Sequence, residues 1–270
     1  MNSLQSATSA QARRNRKLLS EASYLGERIN SRVLPLDIDI AGPLTTQQRD
    51  ALAGLGVEAA STAISSLASL AKIGELDHLG GGLELIDPLL MTLAVADGET
   101  VDYTIEHAHT SIGYYAALAA FGYVKAKDVI DGFRRGIDIA GHVSWLPGGT
   151  QLNGGRLGVM VPVAVGQALG RRARKGNDAW VITHCGDAGW ISGQALNGFN
   201  GASALGASHD GAEVVRVFDV VEEDDYRVVR FSHVRAQIVQ RAVGPLADVC
   251  DNPLMVGRLR HPLDLPPLYE

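Results

Sequence analysis

Residues 179–182, Ala-Trp-Val-Ile, form an apolar run that passes directly into Thr183-His184-Cys185-Gly186-Asp187-Ala188-Gly189. A buried strand followed at once by a Gly-Asp turn and a helix restricts the chain to an α/β layer arrangement. In such a layer the carboxyl end of the strand faces the amino end of the next helix. That junction offers unpaired backbone N–H groups and the positive end of a helix dipole, and an aspartate there adds a hard oxygen ligand for magnesium. The geometry suits a diphosphate cofactor with its metal. The same Gly-Asp pair also serves as an ordinary helix cap in many α/β proteins, so both readings stand at this point.

The rest of the chain supports alternating helices and strands. Residues 1–45 read as a helical, then irregular, amino-terminal extension ending at Gly42-Pro43. Small and apolar residues at helical spacing predict a packed helix over 47–72 and another over 83–95 that carries Pro88 in its first turns. Between them, Asp77-His78-Leu79-Gly80-Gly81-Gly82 breaks the pattern, and its glycines indicate close backbone approach. A short strand is expected at 102–105, a loop at 107–110, and helices at 111–121 and 127–135. A long Gly- and Pro-containing loop at 141–158 follows, of a kind that is often functional. Helices at 161–172 and 192–205 then flank the strand that ends at Cys185. Alternation at 214–221 predicts a strand, and 226–231 a second one that would close a β-hairpin. The expected architecture is a doubly wound, mostly parallel sheet with helices on both faces and an antiparallel hairpin at its edge. It occupies residues 46–245, with a Pro-rich tail at 246–270.

A chain of 270 residues with 46% hydrophobic content can bury one large core. Its net charge of −6 argues against a nucleic-acid surface, which needs clustered cations. Small molecules or proteins are the expected partners. Two cysteines, Cys185 and Cys250, are too few for a disulfide framework, and no signal-peptide pattern is present, so the expected location is cytoplasmic. The basic run Arg13, Arg14, Arg16 and Lys17 reads as a solvated helix face.

Several short motifs then fall in a fixed order: His78-x-Gly80-Gly81; His109 before Ser111-Ile112-Gly113-Tyr114-Tyr115-Ala116-Ala117-Leu118; Gly141-His142; Leu157-Gly158 before Pro162-Val163-Ala164-Val165-Gly166; and Gly186-Asp187. In this order they resemble the amino-terminal, diphosphate-binding domain of transketolases and of their split-gene relatives, over roughly residues 47–221. The resemblance implies a thiamine-diphosphate and Mg2+ enzyme of carbohydrate metabolism. Its pyrimidine-binding domain would come from a separate partner subunit, giving a hetero-oligomer with the active site between chains. It implies that Gly186, Asp187 and Ala188 begin the diphosphate motif, with Asp187 as metal ligand, and that Gly155 and Leu157 meet the cofactor's aminopyrimidine. It further implies that His78, His109 and His142 surround the diphosphate, thiazolium and sugar donor. Imidazoles suit hydrogen bonding to donor hydroxyls and proton movement near neutral pH. His107 and His184 match nothing in the pattern; the first reads as a loop residue, the second as a strand-end residue that could face the pocket.

The chain also departs from that family. Ala188 and Gly189 stand where a third Gly and an acidic residue belong, and Val221 stands where the motif closes on Asn. Val159-Met160 replace Gln-Gly, and Ser192 replaces an acidic residue. Asp219, Glu222 or Glu223 would have to complete a metal site, since valine cannot. Two functions follow from the resemblance: a split transketolase-like transferase that moves a two-carbon ketol unit or performs a related carboligation on a sugar or ketose substrate, or a non-catalytic scaffold or regulatory subunit that has lost the metal site.

Overall fold

A computed structural model of the chain describes residues 9–21, 34, 36–38, 44–74, 82–150, 152–175, 180–205 and 215–220. The expected second strand of the hairpin, the Pro-rich tail, His78, Val221, Glu222 and Glu223 lie outside the described residues. Helix α1 covers Ala10–Glu21, α2 Thr46–Ala71 and α3 Ile86–Val95. They are followed by strand β1, Val101–Ile105, and by helices α4, Ser111–Ala120, and α5, Ala126–Gly132. Then come α6, Met160–Lys175, and β2, Trp180–Gly186, with the one-turn helix α7, Asp187–Trp190, directly behind it. Helix α8, Gly193–Ala204, and β3, Val215–Val220, complete the set.

The three strands are parallel in the order β1-β2-β3, with Ile105 opposite His184 and Gly186 opposite Val220. Their carboxyl ends therefore share one edge. Side chains alternate across a strand, so Val101, Tyr103 and Ile105 share a face with Ile182. These four join one hydrophobic core with α2, α3 and α4. On the opposite face Val181 packs with Ala164 and Ala168, and Cys185 with Val161 and Ala195. Helices thus cover both faces, as a buried parallel sheet requires.

Local sequence explains the main elements. Thr45 and Gln48 form a reciprocal capping box that starts α2. Pro88 sits in the first turn of α3, where no N–H is needed, and α3 and α4 are buried almost all round. Helix α5 stops at Gly132, short of the expected 135, and Arg134 turns out with φ 58°.

Helix α1 corrects one expectation. The basic run is only in part a solvated face: Arg13 is exposed, whereas Arg14 is 6% exposed, donates from Nη2 to the Gly149 carbonyl at 3.1 Å and lies over the Tyr103 ring. Arg13 pairs with Asp97, and Lys17 donates to the Gly98 carbonyl at 2.9 Å. Leu34, Leu36 and Ile38 enter the same core as the strands.

Candidate active site

The site is built where β1 and β2 end. Past Ile105 the chain continues as Glu106-His107-Ala108-His109, and it is tied to β2 by the Glu106 N–H, which donates to the His184 carbonyl at 2.7 Å. The long loop then docks on this same strand end. Thr150 Oγ1 donates to the Tyr103 carbonyl at 2.8 Å, and the Gly154 N–H donates to the Ile105 carbonyl at 2.8 Å. Its earlier part is held against α4: the Val143 N–H donates to the Ala108 carbonyl at 2.9 Å, Ser111 Oγ to the Gly141 carbonyl at 2.8 Å, and Tyr115 Oη to the His142 carbonyl at 3.0 Å.

These contacts bring most of the expected residues to one edge. His109, His142, Gly155, Leu157 and Ala188 are all exposed around the ends of β1 and β2. Gly186 closes β2, and Asp187 opens α7 immediately after it. A Cβ at Gly186 would meet His107 Cβ at 3.4 Å, so the strand exit lies against the His107 side chain. Gly158 adopts φ 82°, the left-handed region that favours glycine, and a side chain there would run into Ser192 Oγ. His78 lies outside the described residues; the chain emerging from that segment does reach α4, where Gly82 and Gly113 approach backbone to backbone.

At the centre of the edge is a residue that belongs to none of the sequence motifs. Glu106 is 1% exposed. Its Oε1 accepts from the Gly158 N–H, its Oε2 is 3.6 Å from Cys185 Sγ, and the Gly186 N–H also points to it. Gly189 packs so closely on the carboxyl that a Cβ would overlap it. Burial pushes the Glu106 carboxyl above the usual carboxylate range, against the opposing pull of Gly158, Cys185, Gly186 and His109. The one sequence signal for it is an acidic residue directly after the apolar end of a buried strand, a place where Asp and Glu are costly unless hydrogen-bonded.

The other two histidines part company. His107 is buried, and its Nδ1–H donates to the His184 carbonyl at 3.1 Å, which keeps its ring behind the exposed His109 at a centroid distance of 5.8 Å. His184 does not face the pocket. It lies on the core face of the sheet, fully buried, with Nε2 3.0 Å from Thr92 Oγ1 and Tyr103 edge-on. Thr92 Oγ1 already donates to the Pro88 carbonyl, so it accepts from His184 Nε2–H. The alternation of β2 fixes this outcome: Cys185 and His184 point to opposite faces, and His184 takes the one covered by α3.

Two of the family departures have local roles. Ser192 Oγ caps α8 by accepting from the Ala195 N–H at 3.1 Å, and Met160 is buried beneath Gly154. A scan against protein-family models returns no match, and neither does a search of curated protein sequences.

Proposed function

We propose that this chain is the diphosphate-binding subunit of a split, transketolase-like transferase, with a doubly wound sheet and a separate pyrimidine-binding subunit completing the site. The observation that carries this reading is the convergence, at one edge of a parallel sheet, of segments far apart in sequence: His109, His142, the Gly154–Gly158 loop and the Gly186-Asp187 junction. Ligands of α/β sheets bind at such carboxyl edges.

The residue types at the opening suit thiamine diphosphate and Mg2+. Glycine backbone stands at the strand exit, an aspartate follows it, imidazoles lie on the rim, and the Glu106 charge is withdrawn on the buried side. Bound there, thiamine diphosphate supplies the electron sink that lets a ketose carbon–carbon bond break. The chain's own residues hold and orient. Gly186 and Ala188 would present backbone N–H groups to phosphate, and Asp187 a carboxylate to the metal. Gly155 and Leu157 would form the wall for the aminopyrimidine. His109 and His142, exposed on adjacent segments, would donate hydrogen bonds to donor hydroxyls and move protons to and from them, with His78 assigned the same duty by the resemblance alone.

A second reading is favoured by Ser192, which caps a helix where the family carries an acidic residue, and by Val159, an apolar side chain where the family carries a glutamine. On that reading the chain is a non-catalytic scaffold or regulatory subunit. Calorimetric titration of thiamine diphosphate with magnesium into the chain, purified with its pyrimidine-binding partner, separates the two. Binding that disappears in Asp187→Ala is the expected result; a well-folded complex that takes up neither cofactor nor metal leaves the scaffold.

A further inference from the structure

The buried carboxylate at the end of β1 has a partner set that no packing requirement explains. Among the described residues, each hydrogen-bonding group directed at the Glu106 carboxyl is a donor: the Gly158 N–H at Oε1, the Cys185 thiol at Oε2 and the Gly186 N–H. These donors come from two separate pieces of chain, 52 and 79 residues downstream in the hydrogen bonds to Gly158 and Cys185. One piece is the Gly-rich loop with exposed Gly155 and Leu157, and the other is the β2 exit before Asp187. Gly189 of α7 leaves no space beyond the carboxyl, so the group is fixed from a third side.

From this arrangement we infer that Glu106 is the positioning residue of the site: its carboxylate locks the Gly154–Gly158 loop to the β2 exit, so that Gly155, Leu157 and Gly186 face one opening at a set spacing. The functional part of this inference rests on the thiamine-diphosphate reading; the locking itself does not. A glutamine of the same size cannot replace the group, because its amide must turn N–H donors toward donors. Burying a carboxylate is costly, and a preorganised binding edge is a physical reason to retain one.

The test uses the full-length chain and two variants. Glu106→Gln removes the charge and keeps the volume. Gly189→Ala keeps the carboxylate and displaces it through the added Cβ. Amide hydrogen exchange followed by NMR is expected to show a slow Gly158 N–H in the wild type. Both variants should exchange it at least tenfold faster, with the β1 and β2 amides still slow. In the complex with the pyrimidine-binding subunit, affinity for thiamine diphosphate with magnesium is expected to fall at least tenfold in both. A Gly158 N–H equally slow in both variants, or cofactor affinity unchanged while the loop is loosened, overturns the inference. Loss of folding in both variants overturns it as well, by making the carboxylate a requirement of the fold. A wild-type complex that binds no thiamine diphosphate sinks the functional reading alone, and the exchange result still decides whether Glu106 is the lock.

Discussion

Among single residues, His184 has the clearest energetic signature. Burial, with a smaller contribution from His107, pulls its pKa down from the ordinary value to about 3. The folded protein therefore holds the imidazole neutral, donating through Nε2 to Thr92, while the unfolded chain takes up a proton below about pH 6.5. A folded pKa below the unfolded one means that this residue's contribution is intact above about pH 6.5. It is lost as pH falls from there toward 3, at about 1.4 kcal/mol per pH unit. Urea unfolding at about pH 7.5 and about pH 5 should reveal a loss of about 2 kcal/mol attributable to His184. That loss should vanish in His184→Leu. An unchanged slope in the variant would place the acid sensitivity elsewhere. The sequence marks His184 as a strand-end residue, but which face it occupies depends on the register with β1, and no local pattern encodes that. Glu106 is hidden for a related reason: its donors lie 52 and 79 residues away in sequence. By contrast Gly186-Asp187 is legible because strand, turn and helix are contiguous there.

Between elements, two glycines in helices make opposite predictions. Gly54 lies in α2 with nothing within 4 Å of the point where a methyl group would stand, so Gly54→Ala should stabilise by about 0.5–1 kcal/mol through helix propensity alone. Gly113 lies in α4, where the same change meets the Gly82 carbonyl, a backbone atom with no rotamer to yield. There the propensity gain is outweighed, and Gly113→Ala should destabilise by about 2 kcal/mol, as overpacking does elsewhere. Urea midpoints of the two variants at neutral pH decide this; equal shifts would mean that Gly82 does not approach α4. The helices are readable from apolar spacing and from caps such as Thr45 and Gln48, β1 from its apolar–polar alternation and β2 from the short apolar run that opens it. Helix α1 departs from its expected solvated role because its buried face sets the polar Gln11, Arg14 and Asn15 beside Ala10 and Ala12, with Gln11 and Arg14 held by carbonyls of Phe121, Ala96 and Gly149. Hydropathy carries no trace of such a docking site, since the carbonyls that create it come together only once the loops have folded.

For the whole molecule, the contrast between floor and rim matters most. The floor at the strand ends is buried and hydrogen-bonded: Glu106, His107 and Gly158. The rim above it is open, with His109, His142 and Ala188 exposed, and the loop and the helices that follow it also expose apolar side chains that gain nothing from exposure, Leu157, Val159, Val163 and Leu196 among them, and Ile191 at 85%. An apolar rim around a polar opening is the usual mark of an interface, and on the proposed reading the pyrimidine-binding subunit closes over it. Ile191 separates folding from association, because a side chain so exposed contributes almost nothing to the fold of its own chain. Ile191→Asp should leave the melting temperature of the isolated chain within about 2 °C of the wild type. In the pair it should raise the dissociation constant by at least tenfold, because a charge is driven into an apolar contact; a tenfold change corresponds to about 1.4 kcal/mol. Sedimentation of the two purified subunits at matched concentrations reads the second quantity and calorimetry the first. Association unaffected by the charge would put the partner on another surface, and the histidines of this rim would then need a different explanation.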